Sequence, residues 1–156
     1  MRWLFLLLTM WLGVAHAAQG PYDEAADAKA DIRAAVAQSK SDHRPVLVVF
    51  GANWCPDCRA LDIAMKDGRN AQLIASEFRV VKVDVGRFDR NVDIAAGYDV
   101  PLKKGIPAVA IVSPEGRAVY ATKAGELADA RGMSEDGIYQ IFRKAPEAKR
   151  LEMLPA

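Results

Sequence analysis

The chain has 156 residues, of which 51% are hydrophobic, and carries 21 Lys and Arg side chains against 20 Asp and Glu. This length is that of one ordinary domain with a core of its own. The near balance of charge provides no basic surface for phosphate groups. We therefore expect neither a nucleic-acid partner nor binding to an anionic membrane surface.

The first residues have the order of a secretory signal. Met1-Arg2 supplies the positive charge, Trp3 to Val14 is apolar, and Ala15-His16-Ala17 supplies small residues for cleavage. The apolar run is short against the roughly 20 residues that span a bilayer, although a retained anchor is the alternative. We predict cleavage of residues 1–17, export to a bacterial periplasm without membrane insertion, and a single domain over 18–156.

Helices and strands then alternate. Small and apolar residues at helical spacing predict a first helix over about 21–39. The continuous run Val46 to Phe50 predicts a strand buried on both faces of a sheet. Cys55 to Met65 is typical of a second helix, which breaks near Asp67-Gly68, and a further helical piece follows over 71–77.

The second half of the chain continues the alternation and ends in a helix. The predicted elements are a strand over 78–85, a short helix over 92–98, and a hairpin of strands 108–112 and 118–122 around the turn 113–116. The last helix is predicted to be capped by Ser134 and to end before Pro146. The fold class is therefore α/β, with a mixed central sheet flanked by helices and a core over about 45–145.

The two cysteines of the chain, Cys55 and Cys58, are three residues apart at the start of a predicted helix. This spacing lets the two sulfurs form a disulfide or separate as a dithiol. Free backbone N–H groups and the helix dipole stabilise a thiolate at the first cysteine, so Cys55 is the predicted nucleophile. Pro56 fits the first helical turn, and Cys58 would resolve a mixed disulfide.

Two other interpretations of the pair stay open. A permanent disulfide across so short a loop would contribute only about 2 kcal/mol, which is less than longer loops give. A metal site would have two thiolates and His43, the only histidine left after cleavage, against the three or four ligands that zinc takes. A variant of the metal-site interpretation is a carrier that holds copper through the two thiolates and hands it on. We predict no metal and no cofactor.

Asp57 lies between the cysteines, where an acid at a helix start is favourable for the helix dipole. The same carboxylate opposes a thiolate on Cys55, by about 0.6 to 2.4 kcal/mol if the charges are about 7 Å apart. Arg59 is adjacent but points elsewhere on an ideal helix. We therefore expect incomplete neutralisation of Asp57 and a more reducing cysteine pair.

Two motifs resemble the thioredoxin superfamily. Val48 to Cys58 resembles its strand, active-site loop and helix, and Lys104-Gly105-Ile106-Pro107 resembles its cis-proline loop. The export signal and the run Phe50 to Trp54 narrow the likeness to exported bacterial thioredoxin-like proteins of the disulfide isomerase or interchange type. The resemblance implies a thioredoxin fold and a thiol–disulfide oxidoreductase whose partners are protein thiols, protein disulfides and a redox partner.

The resemblance also implies roles for residues outside the pair. Ile106-Pro107 would be a cis bond, with the Ile106 backbone beside Cys55 and ready to pair with an extended substrate. Trp54 would flank the nucleophile, the alternative being a plain core aromatic. Gly125 matches a glycine near the substrate groove, and a turn glycine is equally consistent with the sequence.

The chain departs from the family pattern at two places. Val49 stands where thioredoxins carry a buried acid thought to deprotonate the resolving thiol, so that route is absent. Lys82 matches the lysine that pairs with the acid and is therefore interpreted as a solvated strand residue. The segment 126–133 is longer than the family's link into the last helix. A non-catalytic binding module or chaperone on the same fold is the alternative function, and it would tolerate Cys55→Ser.

Overall fold

The structure is a computed structural model that describes residues 20–152, with side chains described as far as Lys144. The predicted signal over 1–17 lies outside the described residues. The elements are α1 (Ala28–Asp42), β1 (Val46–Gly51), α2 (Pro56–Ala64), α3 (Gly68–Glu77), β2 (Arg79–Asp84), α4 (Val92–Gly97), β3 (Ala108–Val112), β4 (Ala118–Ala121) and α5 (Glu135–Glu152). Within the described part of the chain, no helix combines the length and apolarity needed to cross a membrane.

The four strands form one mixed sheet in the order β2-β1-β3-β4. The pair β1 and β2 is parallel, and the pairs β1 with β3 and β3 with β4 are antiparallel. Strand β1 has neighbours on both sides, and all six of its residues are buried, as its continuous apolar run predicts. The predicted α/β class, the central first strand and the β3–β4 hairpin are confirmed.

A hydrophobic core lies on each face of the sheet, because successive residues of a strand point to opposite faces. Val46, Val48 and Phe50 of β1 join the core that includes residues of α1 and α4, and both cysteines belong to this core. Leu47 and Val49 join the second core, which includes residues of α3 and α5. Helix α2 contributes to both cores, so its first turn is fixed over the end of β1.

The first helix begins later than predicted. It starts at Ala28 because the carboxylate of Asp27 accepts a hydrogen bond from the N–H of Ala30 and caps it. It ends at Asp42, where His43 takes the left-handed conformation and donates its N–H to the carbonyl of Ser39. The apolar spacing alone did not mark the cap, so the predicted span of 21–39 was displaced toward the N-terminus.

Two further helix boundaries differ from the prediction. Helix α3 starts at Gly68 and not at residue 71, since the side chain of Asp67 accepts the first free N–H. Helix α5 starts after Ser134, which accepts the N–H of Gly137 as predicted, but it continues through Pro146 to Glu152. A proline removes one backbone hydrogen bond, and the alanine, glutamate and lysine residues around it are strong helix formers that continue the helix.

Candidate active site

The cysteine pair lies where β1 passes into α2. Cys55 is the N-cap of α2, with extended backbone, and Pro56 occupies the first turn. The backbone N–H of Cys58 donates to the Sγ of Cys55 over 3.1 Å, and the two Cα atoms of the disulfide are 5.2 Å apart. The helix end thus supplies a hydrogen bond to the sulfur that would carry a negative charge in the reduced protein.

The two cysteines differ in burial. Cys55 keeps 4% of its surface exposed, whereas Cys58 has none. Cys55 is thus the less enclosed residue of the pair. Among the residues that the structure describes, no three His, Cys, Asp or Glu side chains are grouped so that they could hold a metal ion.

The loop before β3 closes the site from the other side. The Ile106–Pro107 peptide bond is cis. The carbonyl oxygen of Ile106 lies 3.6 Å from the Sγ of Cys55, although the two residues are 51 positions apart in the chain. Ile106 itself is buried. The structure therefore brings the two predicted motifs together at a single point, the sulfur of Cys55.

Trp54 lies on the surface and is 43% exposed, so the alternative of a core aromatic was wrong. Its indole N–H donates to the carbonyl of Gly86 over 2.8 Å, which holds the ring against the loop after β2. The ring of Phe88 meets it edge to face with 6.2 Å between centroids, and the Arg87 guanidinium lies 5.5 Å from the ring centre. Trp54 and Phe88 together form an exposed aromatic surface next to Cys55.

Gly125 supports the loop that carries Pro107. Its φ of +78° suits glycine, and a Cβ at this position would collide with the backbone carbonyl of Lys104. Glycine thus allows the chain after β4 to approach the loop before β3. The backbone of Gly125 thus has the conformation of a turn glycine. Its place beside the Pro107 loop is also the place that the resemblance implies.

Asp57 has a counter-ion that the sequence analysis missed. The backbone N–H and the Nε of Arg131 both donate to its Oδ1 over 3.1 Å. Burial alone would raise the pKa of Asp57, but these hydrogen bonds and the charge of Arg131 lower it below its ordinary value. The sequence analysis considered Arg59 and expected incomplete neutralisation of Asp57; it did not foresee Arg131, because that residue comes from the segment 126–133, far away in sequence. Arg59 instead donates to the carbonyl of Asn53.

Lys82 is not a solvated strand residue, as the sequence analysis had it, because it pairs with Asp62 of α2. Both side chains are largely buried, with 21% and 13% of their surfaces exposed. Lys66 also binds Asp62, over 2.8 Å. Burial raises the pKa of Asp62, but hydrogen bonds from Lys66 and Lys82 outweigh it and lower the pKa. Val49 occupies the strand position where thioredoxins carry the acid, so Lys82 pairs instead with Asp62 on α2, four residues after Cys58.

Two more residues near the pair were missed by sequence reasoning. Tyr22 and Asn53 bind one another: the N–H of Tyr22 donates to Asn53 Oδ1 over 2.9 Å, and Asn53 Nδ2 donates to the Tyr22 carbonyl over 2.8 Å. Tyr22 is buried among core residues that include both cysteines. The only local signal was Gly51, whose missing side chain leaves room for the Tyr22 ring.

A family model described as thioredoxin-like matches residues 27–114. The chain belongs to this thioredoxin-like family. A solved disulphide isomerase from Xylella fastidiosa Temecula1 is 52% identical, covers 83% of this chain and 99% of its own, and superposes with a TM-score of 0.79. A search of curated protein sequences gave no match.

More distant structures share the fold alone. A thioredoxin from Thermus thermophilus is 20% identical, covers 73% of this chain and 82% of its own, and has a TM-score of 0.54. The C-terminal domain of Neisseria meningitidis DsbD in the reduced form is also 20% identical, with coverage of 74% and 95% and a TM-score of 0.51. The thioredoxin fold expected from the two motifs is confirmed.

Proposed function

We propose that Cys55 is the nucleophile and Cys58 the resolving residue of a thiol–disulfide oxidoreductase that exchanges disulfides with proteins. The protein has the fold, the family and the redox-type cysteine pair of such enzymes. The observation that carries the assignment of roles is the asymmetry of the pair. The Sγ of Cys55 accepts a helix-terminal N–H and Cys55 keeps 4% of its surface exposed, whereas Cys58 has none exposed.

The exchange proceeds in two displacements. The thiolate of Cys55 attacks one sulfur of a substrate disulfide, which forms a mixed disulfide and expels the other substrate sulfur as a thiolate. The thiolate of Cys58 then attacks the Cys55 sulfur, which forms the Cys55–Cys58 disulfide and releases the second substrate thiolate. Two electrons pass from the protein to the substrate, and the reverse sequence oxidises a substrate dithiol.

The substrate would lie across the surface that surrounds Cys55. The exposed ring of Trp54 borders it on one side, and the Ile106–Pro107 loop with its carbonyl 3.6 Å from the sulfur borders it on the other. Gly125 keeps that loop in place through its contact with Lys104. An extended protein segment fits this arrangement, because its disulfide can approach Cys55 while its backbone follows the loop.

Export of the mature domain over 18–156 belongs to the same proposal. Its support is the charged, apolar and small order of residues 1–17, which is that of a cleaved signal. The compartment fits the chemistry, because disulfides persist outside the cytosol. Production of the full chain in a bacterium, fractionation and sequencing of the mature N-terminus tests this, and a chain that retains Met1 or stays in the cytosol contradicts it.

The decisive experiment replaces each cysteine separately. We expect Cys55→Ser to abolish reduction of insulin disulfides, because the remaining Cys58 is fully buried and has no second cysteine to complete the exchange. Cys58→Ser keeps the first displacement and lacks the second, so it accumulates a mixed disulfide that a nonreducing gel detects. A binding module or chaperone would keep its activity in Cys55→Ser, and full activity in that variant would remove the enzyme assignment.

A further inference from the structure

Cys58 shares its buried environment with a phenol. Tyr22, from the segment before α1, is only 2% exposed. A Cβ on Gly51 would collide with the Tyr22 hydroxyl and would stand 3.0 Å from the Sγ of Cys58. The hydroxyl oxygen and the sulfur therefore both border the space that a side chain at Gly51 would fill, which places them within about 5 Å of each other.

The active-site loop itself holds Tyr22 in place. Asn53, two residues before Cys55, exchanges two hydrogen bonds with the backbone of Tyr22. The same amide donates to the carboxylate of Glu24 over 3.1 Å. The phenol is thus positioned by the loop that carries the nucleophile, and its place beside Cys58 is a built feature of the site.

The resolving thiol needs such a neighbour. Cys58 has no exposed surface, and burial disfavours the thiolate that must form before it can attack. The strand position where thioredoxins carry a buried acid holds Val49. Burial raises the pKa of the Tyr22 hydroxyl, and Asp62 and Asp84 raise it further. The phenol therefore keeps its proton where thiols ionise, and it can act as a hydrogen-bond donor but not as a base.

We propose that the Tyr22 hydroxyl donates a hydrogen bond to the sulfur of Cys58 whenever that sulfur is a thiolate, and so promotes the resolving step. The inference rests on the exchange function proposed above. The hydrogen bond stabilises the thiolate as attacking group in the reducing direction and as leaving group in the oxidising direction. In both directions Tyr22 keeps its proton, and the proton of Cys58 is exchanged with solvent.

Other charged groups surround this site. Asp62 and Asp84 raise the pKa of Tyr22, and each is paired with at least one cation. The groups are Asp62 on α2, Lys66 just after it, Lys82 and Asp84 on β2, Asp89 and Arg90 in the following loop, the latter at 3.6 Å from Asp84, and Glu24 before α1. None of them is altered by a change at Tyr22 that removes only the hydroxyl, so such a change isolates the hydrogen bond.

Tyr22→Phe in the otherwise unchanged protein tests the proposal. The reduced protein is mixed with an equimolar amount of dithiobis-nitrobenzoate, and thionitrobenzoate release is followed at several pH values. The first phase reports attack by Cys55, which forms the mixed disulfide and expels one thionitrobenzoate. The second phase reports attack by Cys58 on the Cys55 sulfur, which expels the other.

We expect the first phase to be unchanged in Tyr22→Phe. The pH midpoint of the second phase should rise by about one unit, with a rate about tenfold lower below that midpoint, as expected for loss of a hydrogen bond to a charged sulfur. A structural disturbance would instead slow the second phase at every pH. Tyr120→Phe is the matched control, since Tyr120 packs against the other core, and both of its phases should match the parent.

A second variant keeps the test open if Tyr22→Phe does not fold. Difluorotyrosine at position 22 is a stronger donor of similar shape, and it should lower the midpoint of the second phase. An unchanged midpoint in Tyr22→Phe, or a raised midpoint with difluorotyrosine, overturns the proposal. Failure of the exchange function is a separate result, because it would appear as insulin reduction by Cys55→Ser.

Discussion

The two sulfurs of the disulfide lie in surroundings of different origin. Around Cys55 the parts are mostly neighbours in the chain, namely Trp54, Pro56 and the N–H of Cys58, and the Ile106 carbonyl comes from a distant segment. Around Cys58 lie Gly51 and Tyr22, which belong to two other segments. The reactivity of Cys55 requires a helix N-terminus, which the local sequence can specify. The reactivity of the buried Cys58 depends on which distant residues the fold packs against it.

The largest effect is expected at the packing beneath Cys58. Gly51→Ala places a methyl group against the Tyr22 hydroxyl and near the Cys58 sulfur, so we expect the free energy of unfolding to fall by about 1 to 3 kcal/mol. Urea unfolding of the oxidised protein measures this. Gly97→Ala is the control, because nothing lies within 4 Å of the added atom and alanine favours a helix. Equal stability of the two variants would show that Tyr22 is not held against Gly51.

The second largest effect is expected at the largely buried ion pair of Lys82 and Asp62. Lys82→Met removes one partner of Asp62 but leaves Lys66. We expect the free energy of unfolding to fall by about 1 to 2 kcal/mol at neutral pH, an effect between that of a surface ion pair and that of a fully buried one. The folded-state pKa of Asp62 is lowered, so its contribution is present above the unfolded value of about 4 and is lost as the pH falls through the folded value.

The difference in stability between Lys82→Met and the parent should therefore be largest at neutral pH and should disappear at acidic pH. Thermal unfolding across this pH range measures it. Lys29→Met is the control, since Lys29 pairs with Asp93 on the open surface, with 59% and 63% exposure, and its stability should stay close to that of the parent at every pH. A loss in Lys82→Met that stays constant with pH would mean that only packing was removed.

The smallest effect is expected on the Cys55 side, at Asp57 and Arg131. Arg131→Gln leaves the carboxylate without its counter-ion, so the pKa of the Cys55 thiol should rise by about half a unit. Asp57→Asn leaves the cation alone and should lower that pKa by a similar amount. The double variant should return close to the parent, because the pair is neutral as a whole.

Ultraviolet absorbance of the thiolate in the reduced proteins, at low salt, measures all four values. The thiol with the higher pKa belongs to the more reducing protein, so reduction potentials provide a second readout. Equal thiol pKa values in all four proteins would show that the charges of this ion pair do not reach the sulfur.

Much of the fold could be predicted from the sequence because its signals are local. The buried run of β1, the hairpin of β3 and β4 and the Ser134 cap follow from residue type and spacing. Helix starts at Ala28 and Gly68 were missed because each depends on one aspartate side chain turning back to a free N–H. Passage of α5 through Pro146 was missed because one lost hydrogen bond did not outweigh the helix propensity around it.

The sequence by itself determined the cysteine pair, its place at a helix N-terminus and the two motifs that meet at Cys55. Only the tertiary structure decided that Arg131 neutralises Asp57, that Lys82 pairs with Asp62 and that Tyr22 lies over Gly51 beside Cys58. The reason is physical. Helix-end stabilisation of a thiolate acts within one turn, whereas burial and ion pairing depend on which distant segments the sheet and helices bring within a few ångströms.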